Sequence, residues 1–109
     1  MITGGRDFKD EDFVWQKLNE LKPGCLIQGG ALGADRWSKR WAQSNGVPCF
    51  ECEPCWKALG PKAGPVRNRW MLDWFLPDLV LAFPGGIGTR DAIAQARHRH
   101  GLVIEAKPD

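Results

Sequence analysis

Val80-Leu-Ala-Phe-Pro-Gly-Gly-Ile-Gly-Thr89, with Arg90 and Asp91 directly after it, is the stretch that decides the fold of this chain. Its apolar half predicts a buried strand, and the residues after the glycines predict a helix. Glycines at such a junction allow a tight turn and a close approach to a ligand. Amides at a helix N-terminus and the helix dipole attract anions, so this turn predicts a phosphate site. The alternative is a turn without a ligand. The residues that would hold the phosphate are Gly85, Gly86, Gly88 and Thr89.

Two further glycine turns follow predicted strands earlier in the chain. Gly4-Gly5 follows a first strand at residues 1–3, and Gly29-Gly30 follows a second at residues 25–28. Further strands are predicted over residues 47–53, 79–83 and 102–105, alternating with helices. The helices are predicted from Asp10 or Asp12 to about residue 22, from residue 35 to about 44, from Pro65 to before Pro77, and over residues 89–99, while residues 54–64 are predicted as a loop.

Alternating strands and helices predict an α/β fold with helices on both faces of a parallel sheet. We expect residues 1–109 to form a single Rossmann-like three-layer domain with a mostly parallel sheet of about five strands. In such sheets ligands bind beyond the carboxyl ends of the strands. All three glycine turns fall at those ends, which favours one ligand cleft.

Composition narrows the class of protein. The chain has 109 residues and a formal net charge of +2, which makes nucleic acid an improbable partner. No apolar run approaches a membrane span and no signal peptide is recognisable, so we expect a cytoplasmic protein without a membrane partner. Cys49, Cys52 and Cys55 have the spacing of metal ligands, but a strand over residues 47–53 would point the first two to opposite faces. We therefore expect neither a metal nor a cofactor.

Four motifs occur in order along nearly the whole chain, and together they resemble the small YspA/CpYpsA-related branch of the SLOG superfamily, common in phages and bacteria. The motifs are Thr3-Gly-Gly-Arg-Asp7, Gly29-Gly-Ala-Leu-Gly-Ala-Asp35, Gly60-x-x-Ala-Gly-Pro-x-Arg-Asn68 and Phe83-Pro-Gly-Gly-Ile-Gly-Thr89. The resemblance implies a Rossmann-like fold that handles nucleotides. Some SLOG proteins bind nucleotide signals, the LOG phosphoribohydrolases cleave the N-glycosidic bond of nucleoside monophosphates, and DprA proteins bind single-stranded DNA.

The chain departs from the LOG motif Pro-Gly-Gly-x-Gly-Thr-x-x-Glu at its catalytic position. Ala92 stands where the LOG enzymes have glutamate, and Asp91 precedes it by one residue, a rotation of roughly 100° on a helix. Of the LOG Arg-Lys pair, Arg67 is retained and Asn68 replaces the lysine. Asp91 and Arg67 are therefore the candidate catalytic residues, while the phosphate-binding part of the motif is retained.

Other candidate ligand contacts have ordinary alternatives. Arg6 and Arg67 fit an anion. The alternatives are a solvated loop arginine for Arg6 and an ion pair with Asp35 or Asp91 for Arg67. Asp35 fits ribose hydroxyls, although capping of the following helix is the commoner use of an aspartate there. Trp56 is a candidate for stacking on a base. The predicted ligand-binding set is Gly4, Gly5, Arg6, Gly29, Gly30, Gly33, Asp35, Arg67, Asn68, Gly85, Gly86, Gly88 and Thr89.

The sequence thus predicts a module that binds a nucleotide or nucleotide-derived ligand, as a sensor or a sequestering protein. The alternatives are a LOG-like phosphoribohydrolase and, less favoured by the charge, a single-stranded DNA-binding protein. The short chain and its six tryptophans favour a homodimer.

Overall fold

The computed structural model describes residues 1–109, in which five short strands alternate with helices. In chain order the elements are β1 (Ile2–Thr3), α1 (Glu11–Leu21), β2 (Leu26–Gln28), α2 (Ala34–Asn45), β3 (Cys49–Glu51), α3 (Trp56–Leu59), a 3-10 turn (Gly60–Lys62), α4 (Ala63–Phe75), β4 (Val80–Ala82), α5 (Ile87–His98) and β5 (Val103–Glu105).

The strands form two parallel sheets, and the expected single sheet of about five strands is wrong in this respect. One sheet has the order β1-β4-β5 and the other pairs β2 with β3. β1 has only two residues and forms its ladder with β4, and no hydrogen-bonded ladder joins β1 to β2. The two strands still lie side by side. The carboxyl ends of β2, β1 and β4 therefore meet at one edge of the molecule.

Helices cover both faces of the sheets, as predicted. Side chains of α1 and α2 such as Leu18 and Trp41 bury one face together with Leu26. Side chains of α4 and α5 such as Met71 bury the other face together with Ile27. Because successive strand residues point to opposite faces, neighbouring positions in β2 serve different cores. None of the helices is both long and apolar enough to cross a bilayer.

Most predicted element ends lie within two residues of the observed ones. Asp10 caps α1 by accepting a hydrogen bond from the amide of Phe13 at 3.0 Å, and Gly46 ends α2 in the left-handed conformation. β3 is present as predicted but is two residues shorter at each end. One interpretation was wrong: the segment predicted as a loop over residues 54–64 contains α3 and the 3-10 turn. Proline is tolerated in the first turn of a helix, so Pro61 does not prevent this local winding.

Candidate functional site

The three glycine turns line one cleft of about 970 Å³ at the carboxyl ends of β1, β2 and β4. Most of the predicted ligand-binding residues contribute to its walls, while three predicted residues, Gly33, Asn68 and Asp91, do not. The predicted residues that line the cleft are Gly4, Gly5, Arg6, Gly29, Gly30, Asp35, Trp56, Arg67, Gly85, Gly86, Gly88 and Thr89.

The turns are in direct contact through the backbone of Gly5. Its amide donates to the carbonyl oxygen of Pro84 at 2.8 Å, which joins the first and third turns. A Cβ on Gly33 would overlap the carbonyl oxygen of Gly5, and a Cβ on Gly85 would lie 2.6 Å from the Gly5 nitrogen. Glycine is required at both positions because another backbone occupies the space of a side chain. Gly33 does not line the cleft itself, but it lets the first two glycine turns lie against each other.

The N-terminus of α5 opens into the cleft. The helix begins after Gly86, which offers no side chain to cap it, and the amides of Ile87, Gly88 and Thr89 have no acceptor in the protein. Thr89 is buried, with its hydroxyl against the Cα of Gly85. Uncapped amides at a helix start carry partial positive charge. This end of the cleft can therefore bind an anion.

Arg67, in the second turn of α4, reaches across to the second glycine turn. Its Nη1 donates to the carbonyl oxygens of Gly29 at 2.8 Å and Cys52 at 3.4 Å, and its Nε donates to Asn68 Oδ1 at 2.9 Å. A guanidinium has five N–H donors, so those on Nη2 have no protein partner. The alternative of an ion pair with Asp35 or Asp91 is wrong, because neither carboxylate lies within 4.0 Å of the guanidinium. Burial lowers the pKa of Arg67 from its ordinary value.

Asp35 lies beneath the second glycine turn, in the first turn of α2. The interpretation of Asp35 as the N-cap is wrong, because Gly33 occupies that position. Its Oδ2 instead accepts hydrogen bonds from the amides of Gly29 at 3.2 Å and Ala31 at 3.1 Å. Its Oδ1 is buried and has no partner. Burial raises the pKa of Asp35 to about 6, against the lowering effect of the Ala31 amide and of Arg67.

Asp91 points away from the cleft into a polar contact between α4 and α5. Its Oδ2 accepts hydrogen bonds from Asn68 Nδ2 at 3.0 Å and Gln95 Nε2 at 2.8 Å. Asn68 also donates to the carbonyl oxygen of Gly88 at 3.2 Å, which fixes α4 against the start of α5. Ala92, at the position of the LOG glutamate, is fully buried. Asn68, Asp91 and Gln95 therefore hold α4 against α5 and do not line the cleft.

Charge at the cleft is close to balance. Arg6 and Arg67 face Asp35 and two exposed carboxylates, Asp7 and Glu53. Arg6 is itself exposed and has no partner in the protein. Attraction of an anion therefore depends on the uncapped amides at the start of α5 and on the two arginines that line the cleft.

Three large, exposed apolar side chains line the cleft, and only one of them was predicted. Trp56, predicted as a stacking residue, is 58% exposed and lies 3.5 Å from the position of a Cβ on Gly64. Leu32 and Ile87, which the sequence analysis missed, are 44% and 80% exposed. Both occupy the variable positions of glycine motifs, and that is the only sequence signal that could have indicated them.

The remaining tryptophans and the cysteines lie outside the cleft. Trp70 and Trp74 stack on each other with ring centroids 5.6 Å apart, and Trp74 is 73% exposed. All four cysteines are free thiols. No three histidine, cysteine or acidic side chains come together as a group that could hold a metal ion.

Comparisons with known proteins agree with the resemblance drawn from the motifs. The model of the YspA, cpYpsA-related SLOG family matches residues 1–58. The Gene 61 protein of Mycobacterium phage D29 is 37% identical over an alignment of 109 positions, which covers 89% of this chain and 86% of the phage protein. No solved structure matches the chain. The family match covers more than half of the sequence and includes two of the three glycine turns, so the chain belongs to the YspA, cpYpsA-related SLOG family.

Proposed function

We propose that the protein binds a nucleotide or nucleotide-derived ligand in the cleft, with a phosphate at the N-terminus of α5. Membership of a SLOG family suggests a nucleotide-related role. The observation that carries the proposal is the set of uncapped amides of residues 87–89 beside a buried threonine. The Nη2 donors of Arg67 provide further hydrogen bonds to a phosphate or carboxylate in the same cleft. Trp56 offers an aromatic face for the base.

The site favours retention of the ligand over hydrolysis. A LOG-type reaction needs a carboxylate at the sugar, and the corresponding position is the buried Ala92. Asp91 is held by Asn68 and Gln95 outside the cleft. We therefore propose a sensor or sequestering module, with LOG-like hydrolysis as the alternative that the same experiment tests.

The test is incubation with nucleoside monophosphates, cyclic nucleotides and ADP-ribose derivatives, followed by mass detection of the bound and free fractions. Retention of an intact ligand is the expected result. Release of free base with ribose phosphate would establish the hydrolase instead. Absence of both would overturn the proposal for these ligands. Salt-dependent binding of oligonucleotides alone would indicate a single-stranded DNA-binding protein.

Arg67→Ala is expected to weaken binding of the retained nucleotide by about 10- to 100-fold, since charge-assisted hydrogen bonds contribute roughly 1.5–3 kcal/mol. Isothermal titration calorimetry measures this loss. Arg69→Ala is the matched control, because Arg69 is an exposed arginine of the same helix and does not line the cleft. Equal affinities for the two variants would contradict a role of Arg67 in binding.

A further inference from the structure

We propose that Asp35 is the ligand-recognition residue for the sugar, and that its Oδ1 accepts a hydrogen bond from a ribose hydroxyl. The inference rests on the proposed function and narrows it to ligands that carry a free ribose 2′- or 3′-hydroxyl.

The first argument is that one oxygen of Asp35 is anchored and the other is free. Oδ2 is fixed by the amides of Gly29 and Ala31, which sets the orientation of the carboxylate. Oδ1 has no partner and less than 1 Å² of exposed surface, in a side chain that is 5% exposed and lines the cleft. Buried polar atoms are nearly always hydrogen-bonded, and one without a partner is costly. A ligand donor would supply the missing bond, and its binding requires a small displacement of the atoms that cover Oδ1.

The second argument is that the charged neighbours of Asp35 do not supply that bond. Arg67 from α4 directs Nη1 to the carbonyl oxygens of Gly29 and Cys52 and forms no ion pair with Asp35. Glu51 from β3 is itself an acceptor and is bonded to Gln28 at 3.0 Å. The carboxylate is therefore fixed in place without being neutralised by a partner.

The third argument is chemical complementarity. A carboxylate oxygen requires a donor, and an ionised phosphate has none. Asp35 lies behind the carboxyl end of β2, whereas the start of α5 follows β4, with β1 between them. Two strand spacings separate the two positions by roughly 10 Å. One phosphate cannot contact both. In a nucleotide whose phosphate lies at α5, the sugar hydroxyls are the donors beyond it.

The experiment compares AMP, 2′-deoxy-AMP and 3′-deoxy-AMP as calorimetric probes for the wild-type protein, Asp35→Asn and Asp7→Asn. Asparagine keeps an acceptor oxygen for the two loop amides but replaces the free oxygen by a donor. We expect the wild-type protein to prefer AMP over at least one deoxy analogue by about tenfold or more. Asp35→Asn should lose most of that preference, and Asp7→Asn, a change of an exposed carboxylate at the same cleft, should keep it.

The outcomes separate the inference from the proposed function. Equal affinity of the wild-type protein for all three probes overturns the inference and leaves nucleotide binding intact, even if Asp35→Asn does not fold. If none of the three probes binds, both the inference about Asp35 and the proposed nucleotide binding are overturned for adenosine monophosphates. A preference that Asp35→Asn retains assigns the hydroxyl to another residue. A loss common to all three probes, restored with inosine monophosphate, would assign Asp35 to the base, and it too would overturn the inference.

Discussion

Gly33→Ala is expected to lower the free energy of unfolding by roughly 3–5 kcal/mol, which is a large part of the stability of a domain of this size. Two effects add at this position. The backbone of Gly33 has a φ of +77° and a ψ of −132°, a conformation almost restricted to glycine. A Cβ there would also overlap the carbonyl oxygen of Gly5, which is backbone and cannot rotate away. Urea denaturation followed by circular dichroism measures the loss.

Gly60→Ala is the matched control for this prediction. Gly60 has nearly the same backbone conformation as Gly33, with a φ of 58° and a ψ of −137°, but nothing lies within 4 Å of its Cβ position. Its substitution carries only the conformational cost, about 1–3 kcal/mol. The difference between the two variants isolates the overlap with Gly5. Equal losses would show that the first two turns are not in the contact described here.

Asp35→Asn is expected to gain stability relative to the wild-type protein as pH rises from 4 to 7. Burial raises the pKa of Asp35 to about 6 in the folded state, whereas the unfolded chain has an ordinary carboxyl. Between the ordinary carboxyl pKa and about pH 6, the Asp35 carboxyl has lost its proton in the unfolded chain but keeps it in the folded protein. The wild-type protein therefore becomes less stable as pH rises through this range. A difference of about two pKa units corresponds to about 3 kcal/mol. Asparagine does not titrate, so this variant escapes the loss.

The measurement is the difference in unfolding free energy between the two proteins at each pH. Because they share every other titratable group, that difference reports Asp35 alone. Any constant cost of the new amide donor shifts the whole curve without changing its slope. A flat difference between pH 4 and pH 7 would contradict the assignment of a raised pKa. The reverse slope would indicate a carboxylate stabilised by a partner.

The sequence was sufficient to predict the cleft because its geometry is local. Each glycine turn follows a short apolar strand, and parallel strands place such turns at one edge. The contacts that decide individual roles depend on distant residues. Nothing near Arg67 in the sequence indicates that it binds the carbonyl oxygen of Gly29, 38 residues away. Asp91 is likewise held outside the cleft by hydrogen bonds that its carboxylate accepts from Gln95 and from Asn68 on another helix.

Two errors have simple physical causes. The single expected sheet assumed that neighbouring strands are long enough to pair on both edges, and the two residues of β1 pair only with β4. The capping role of Asp35 followed from the usual preference for aspartate at a helix start. Here the turn needs glycine at that position, so the aspartate lies two residues inside and its carboxylate binds the preceding loop.

The contact of two turns with the backbone of one residue, Gly5, makes their glycines interdependent. Side chains introduced at Gly33 and at Gly85 would press on the carbonyl oxygen and on the amide nitrogen of Gly5, which belong to adjacent peptide groups joined at its Cα. Once one substitution has displaced the backbone of Gly5, the second meets less resistance. The double variant Gly33→Ala/Gly85→Ala should therefore lose less stability than the two single losses combined. In divergent relatives, replacements at these two positions should accordingly occur together more often than singly.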